Sequence, residues 1–213
     1  MTEVVSLCVG RAKTVDWRGE PVRTGIWKSP VESATARRLG FDGDEQADLE
    51  VHGGADKAVY GYAAEHYPYW RAELPGVALP YGVFGENLTI SGFDDAGACL
   101  GDRWRAGAAL LEAVQPRLPC SKLGLRFDDP FMVKRFAQSG RLGVYFRVVE
   151  EGPVRRGDPV EKVFTHAERF PVYELARLYF DPALTRGKAA RALAHPLLNE
   201  NWRGMLGSRL AKD

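Results

Sequence analysis

The segment Arg103-Trp-Arg-Ala-Gly-Ala-Ala-Leu-Leu-Glu-Ala-Val114 decides the fold class. It reads as a hairpin that turns near Gly107, with a strongly apolar second strand. Outward from it, further short strands are expected at Val4–Val9, Val22–Trp27, Ala58–Tyr62, Glu86–Ile90, Gly143–Val149 and Pro159–Phe164. Glycine (23) and proline (13) together make about 17% of the 213 residues, against a usual ~12%, and the excess lies before residue 160. That pattern means many turns between short strands. Strands and helices do not alternate regularly, so a mainly β chain built as a β-barrel is expected rather than a doubly wound sheet.

Helices are few in this part. Ala63–Leu74 places Tyr67, Trp70 and Leu74 on one face, with Pro68 near its start. Residues 128–137 open on Asp and Pro and stop before Gly140. After about residue 165 the texture changes. Phe170–Phe180, Leu184–Leu193 and Asn199–Leu210 carry apolar residues at helical spacing, separated by Asp181-Pro182 and His195-Pro196. Residues 1–165 therefore read as the barrel and 166–213 as a small three-helix domain.

A chain of this size folds without disulfides or a structural metal. Its net charge of +1 sets up no field that recruits nucleic acid or an anionic membrane. Cys8, Cys99 and Cys120 are an odd number with no C-x-x-C pair, which suits a reducing compartment. The N-terminal stretch has too short an apolar run for a signal peptide, and no segment approaches the ~18 apolar residues of a membrane span. A cytoplasmic protein is expected.

Chemistry concentrates in three stretches. In Gln115-Pro-Arg-Leu-Pro-Cys-Ser-Lys-Leu-Gly-Leu-Arg126, Cys120 stands between Pro119 and a short helix-like run. A thiol there, near Arg117 and Lys122, is expected to have a lowered pKa. Residues 115–147 hold seven Lys/Arg and two Asp, a local +5 suited to an anion. The residues alone leave open a second reading, in which Cys120 is a small buried apolar side chain. Cys8 and Cys99 read as strand packing. In Asp48-Leu-Glu-Val-His-Gly-Gly-Ala-Asp-Lys-Ala-Val-Tyr60, His52 precedes two glycines that let backbone approach a ligand, and Lys57 follows. A tight turn with solvated charges fits equally. In Tyr81-Gly-Val-Phe-Gly-Glu-Asn-Leu-Thr89, Glu86 and Asn87 sit where side chains can face a pocket, while on the residues alone a hydrogen-bonded β-turn role suits Asn87 better. His66 and His195 read as helix-surface or cap residues, and the acidic run Asp42–Glu50 as a solvated loop.

Taken in order, these stretches and Cys99-Leu-Gly-Asp-Arg-Trp104 resemble the MOSC family, in its YiiM-type branch; the family is named for the C-terminal domain of molybdenum cofactor sulfurases. Ser139-Gly-Arg141, Gly143-Val-Tyr-Phe-Arg-Val-Val149 and Gly157-Asp158 continue the pattern, and the tail resembles that branch's 3-alpha domain. The resemblance implies a pterin-based molybdenum cofactor, with Cys120 as the protein's ligand to the metal. It further implies a reductase of N-hydroxylated compounds such as hydroxylaminopurine base analogues: R-NHOH + 2e⁻ + 2H⁺ → R-NH₂ + H₂O. His52 and Lys57 would contact the cofactor or deliver protons, and Tyr60 would contact substrate. Asn87 would orient the pterin or an oxo group, and Arg117 and Arg141 would meet anionic oxygens. The chain carries no flavin, cytochrome or ferredoxin motif, so electrons would come from an external flavin-linked donor protein. A homodimer is expected from the family. Two other functions share these residues: a sulfur carrier or sulfurtransferase using a Cys120 persulfide, and a non-enzymatic binding module that uses the basic tail, +3 over residues 166–213.

Overall fold

The computed structural model describes residues 1–47, 53–181 and 185–211. The elements run β1 (Glu3–Val9), β2 (Lys13–Trp17), β3 (Glu20–Thr24), β4 (Ser29–Val31), β5 (Ser33–Arg37), β6 (Gly40–Phe41), β7 (Val59–Ala63), α1 (His66–Glu73), β8 (Leu88–Ser91), β9 (Arg103–Ala106) and β10 (Ala109–Pro116). They continue with α2 (Ser121–Phe127), α3 (Met132–Ser139), β11 (Val144–Glu150), β12 (Gly152–Arg155), β13 (Val160–Phe164), α4 (Val172–Phe180), α5 (Arg186–Ala194) and α6 (Glu200–Leu210).

The expected hairpin sits in the middle of the architecture. β9 and β10 pair with Ala106 opposite Ala109, and Gly107 takes a positive φ at the turn. β10 is buried along its whole length, because β9 and β11 flank it and α4 lies across it. One mixed sheet runs β13-β9-β10-β11-β7-β8-β1-β4, with β7 and β8 parallel and the remaining pairs antiparallel. The sheet curls until its distant parts meet. Glu3 bridges Pro159, and Val4 and Val160 donate backbone hydrogen bonds across the seam to Asp158 and Thr2, each 2.9 Å. The barrel-like curl is therefore present, but a short bridge stands at this seam in place of a full ladder. β12-β5-β6 and the β2–β3 hairpin form two small outlying sheets.

Two expected elements are displaced. The strand placed at Val22–Trp27 stops at Thr24, because Gly25 turns the chain against the Glu45 carbonyl so tightly that a Cβ would stand 2.3 Å from it. The helix placed at 128–137 starts four residues later. Asp128 instead closes α2 in the left-handed region, at φ 51°, and α3 ends at Gly140 as expected.

Two hydrophobic clusters fill the molecule. The first joins the concave sheet (Val4, Leu88, Leu111, Phe146) to α4–α6 through Leu175, Ala189, Trp202 and Leu206. The second is aromatic, with Tyr62, Tyr67, Trp70, Phe84 and Phe136 packed between α1, α3 and the sheet. Trp70 and Phe136 stack at 5.6 Å with 7° between their planes, a pair worth about 1 kcal/mol beyond its buried area. The buried Asp102 carboxylate ties the chain after β13 to the sheet, binding Lys162 at 3.0 Å, Arg169 at 2.6 Å and the His166 amide at 3.0 Å. No described helix is long and apolar enough to cross a membrane.

Candidate functional site

Tyr60 and Phe84 of the aromatic cluster line an open cleft with a cavity volume of about 100 Å³. Its walls come from distant parts of the chain: residues 24–28 after β3, residues 44–47 after β6, Lys57 and Tyr60, Phe84–Asn87 before β8, Arg117–Lys122 after β10, and Tyr145 on β11.

Cys120 lies in this wall, half-buried and not bonded to another cysteine. β10 ends at Pro116, and after Pro119 Cys120 takes an extended backbone whose carbonyl opens α2 by accepting from the Leu123 amide at 2.9 Å. The other two thiols are placed for packing, as expected. Burial pushes the Cys8 thiol up to about 11 and also raises Cys99. Neither lines the cleft.

Arg117 is the most unusual residue of the site. It is 5% exposed, and its guanidinium lies over the rings of Phe136 (5.0 Å) and Tyr60 (5.4 Å). Burial pulls its pKa down, but the hydroxyls of Tyr60 and Tyr145 and the Cys120 thiol outweigh that, so it stays above its ordinary value and remains a cation. No carboxylate neutralises it in the described ion pairs, and its Nη1 is buried with no hydrogen-bond partner among the described residues. Such a donor costs roughly 1–3 kcal/mol unless something accepts from it.

Asn87 does more than face the cleft. Its Oδ1 accepts from the Tyr60 amide at 3.1 Å, and its Nδ2 donates to the Cys8 carbonyl (3.2 Å) and to Asp44 (2.9 Å). Glu86 points the other way. Fully buried, it accepts from Gly82 N at 2.8 Å, Phe84 N at 3.1 Å and Thr89 Oγ1 at 3.1 Å, as well as from the Tyr67 hydroxyl. It therefore shapes the loop that carries Phe84, Gly85 and Asn87. Tyr60 lines the cleft with its ring, while its hydroxyl is committed to the Leu142 carbonyl at 2.8 Å. Lys57 lines it from the turn Ala55–Lys57.

Other expectations change. Arg141 does not join the site: its guanidinium sits 4.0 Å from the Tyr69 ring and donates to the Ser139 carbonyl, because Gly140 turns the chain back over α1. His52 lies outside the described residues. The acidic run is not uniformly solvated. Asp42 is exposed and paired with Arg37, but the Asp44 side chain is 5% exposed and clasps Lys28, at 2.6 Å through Oδ2, while Oδ1 accepts from Gly10 N at 2.8 Å. His66 opens α1 as expected, paired with Asp95 at 2.7 Å. His195 is the cap of α5 but is buried.

Lys28, Asp44 and Tyr145 are cleft residues that sequence reasoning missed. Lys28 and Asp44 come from unrelated segments, and the only signal was the anomaly of an acidic run beside Gly43. Tyr145 could have been found from its place on a strand, two residues after Gly143.

The residues fit an anionic, sulfur-bound metal cofactor. One accessible thiol, a buried guanidinium with a donor to spare, further lysines and flat aromatic walls share one cleft. No described group of three His, Cys, Asp or Glu side chains could hold a metal ion.

A model of the MOSC domain matches residues 48–161. YflK of Bacillus subtilis is 40% identical over 201 residues, covering 94% of this chain and 90% of YflK. A Gibberella moniliformis protein named Reductase is 38% identical over 173 residues, covering 79% of this chain but 30% of that longer protein. The crystal structure of YiiM from Geobacillus stearothermophilus superposes with a TM-score of 0.82 at 32% identity, covering 99% of this chain and 100% of the other.

Proposed function

This chain belongs to the MOSC domain family, of YiiM type, and from that premise we propose that it is a molybdenum-cofactor-dependent reductase that converts N-hydroxylated compounds, such as hydroxylaminopurine bases, to the amines. MOSC domains generally bind the molybdenum cofactor, and a relative is named a reductase. The observation that carries the reading is the buried, incompletely bonded Arg117 in the same cleft as the Cys120 thiol.

When bound, the cofactor supplies the two-electron chemistry that breaks the N–O bond. The chain supplies the rest. Cys120 Sγ is the protein's metal ligand, and a soft thiolate suits a sulfur-ligated metal. Arg117 Nη1, itself buried, would donate a charge-assisted hydrogen bond to an anionic oxygen of the cofactor. Tyr60, Phe84 and Tyr145 give flat apolar walls for a heterocycle. Asn87, fixed by three hydrogen bonds, holds the Tyr60 backbone and Asp44 in place. The reaction consumes two protons, and the Lys28 ammonium, held on Asp44 in the cleft wall, is a proton source at Nζ. Electrons come from a separate flavin-linked protein.

The test is metal analysis by plasma mass spectrometry on protein made in a host that synthesises the cofactor, beside Cys120→Ala. Molybdenum near one per chain in the parent, lost in the variant together with hydroxylaminopurine reduction under an artificial electron donor, is expected. Unchanged turnover by Cys120→Ala sinks the mechanism. An adduct of about 32 Da on the Cys120 peptide, without molybdenum, turns the reading to a persulfide sulfur carrier.

A further inference from the structure

We propose that the C-terminal helical segment is a positioning element for the cleft, acting through a hydrogen-bond relay Trp202–Gln115–Asp56. Gln115 is a buried amide, 6% exposed, in the otherwise apolar and carboxylate-bearing β10. A primary amide at such a place is costly unless both its ends are used. Both are. Its Oε1 accepts from the indole N–H of Trp202 at 3.0 Å, and its Nε2 donates to the Asp56 carbonyl at 3.0 Å.

Each end of the relay is itself held. Trp202 is 4% exposed in the first turn of α6, where the Asn199 side chain caps its amide at 3.1 Å. Asp56 belongs to the turn Ala55–Lys57, and its carboxylate takes two bonds from Arg147, at 2.6 and 3.0 Å. The same turn is grasped from the cleft side: Gln46 donates to the Lys57 carbonyl at 2.9 Å and accepts from the Gly54 amide at 3.0 Å. Two glutamines thus suspend the turn that carries Lys57, one lining the cleft and one reaching α6. The Gln115 side chain joins α6 to the cleft wall that carries Lys57, and its backbone lies two residues before Arg117 of a second wall. Phenylalanine would fill the space at 202 but could not make the bond, which is a reason for tryptophan there.

The kinetic consequence rests on the proposed function; the positioning itself does not. Trp202→Phe keeps the ring and removes the donor, and Gln115→Met keeps the volume and removes both bonds. Measured on the full chain as purified, each variant is expected to raise hydrogen exchange of amides 53–58 about fivefold, the factor expected for loss of the hydrogen bond that holds the turn. Amides 103–114 should keep parental rates, and the double variant should exceed Gln115→Met by less than twofold, because both changes cut one relay. Exchange at 53–58 that is unchanged in both single variants, or accelerated equally across 103–114, overturns the proposal. Reductase turnover is read in parallel. Faster exchange at 53–58 in the variants, with a parent that has no N-hydroxy reductase activity, supports the relay and removes the proposed function; parental turnover with unaltered exchange removes the relay alone.

Discussion

Arg117→Met separates a binding role from a structural one, because the two push stability in opposite directions. In the ligand-free protein the substitution removes a buried donor with no acceptor among the described residues, Arg117 Nη1, which relieves roughly 1–3 kcal/mol. It also forfeits two cation–π contacts, to Tyr60 and Phe136, each worth about 1 kcal/mol. Methionine refills most of the volume and packs well against rings. The sum leaves stability within about 1 kcal/mol, or a shift of about 3 °C in Tm for a chain of this length. With the cofactor the outcome is different. A charge-assisted hydrogen bond to an anionic oxygen is lost, about 1.5–3 kcal/mol, which lowers retention roughly 10- to 150-fold. The assay is thermal unfolding of ligand-free protein by circular dichroism, beside pterin fluorescence of the protein fraction after extended dialysis of the loaded form. A Tm that falls by more than about 10 °C, with pterin retention unchanged, would refute the reasoning and make Arg117 a strut of the aromatic cluster.

Asp102 makes stability depend on acid. Burial pushes its carboxyl up, but the His166 and Cys99 amides and Lys162 more than reverse this, so it is held below its ordinary value. A depressed carboxyl contributes stability that is complete above the ordinary value near 3.9 and is lost as pH falls through its folded value. Asp102→Asn should therefore cost about 2 kcal/mol in urea unfolding near neutral pH, a modest figure because Lys162 and Arg169 are partly exposed and return to water. The gap to the parent should close below about pH 4, and a gap constant with pH would contradict the assignment. For the thiols, iodoacetamide near neutral pH should label Cys120 in the native chain and reach Cys8 and Cys99 only after denaturation, read by peptide mass spectrometry. Labelling of Cys8 at the rate of Cys120 would show that its burial does not protect it.

What could be read from sequence follows from how much each element depends on its neighbours. β9, β10 and the turn at Gly107 were legible because a long apolar run and a glycine carry their own explanation. The β2–β3 hairpin was not. Its residues are mostly exposed, so no buried face sets a period, and its turn is Arg18-Gly19, both at positive φ, without the Asn or Asp that usually announces such a turn. β12 was hidden by Pro153, which is tolerated because β12 is an edge strand of its small sheet. β4 and β6 are two or three residues long and exist only through their partners. At the site, Cys120, Arg117, Lys57 and Asn87 stood in recognisable runs and do share one cleft. Lys28 and Asp44 did not stand out, because what makes them notable is their pairing across the fold and not their local context. Arg141 lies outside the cleft lining for the complementary reason: a glycine beside it reverses the chain, which a charge count cannot register.

The seam between β1 and residues 157–160 also bears on how the molecule is made. β1 can find β4 and β8 early in synthesis, but its edge toward Asp158 stays open until nearly the whole sheet has emerged. Pairing over such a separation is slow, and an open strand edge in the interval is a template for a neighbouring nascent chain. A ribosome translating this message quickly and at high density would thus favour strand exchange between chains, with β1 as the exchanged element.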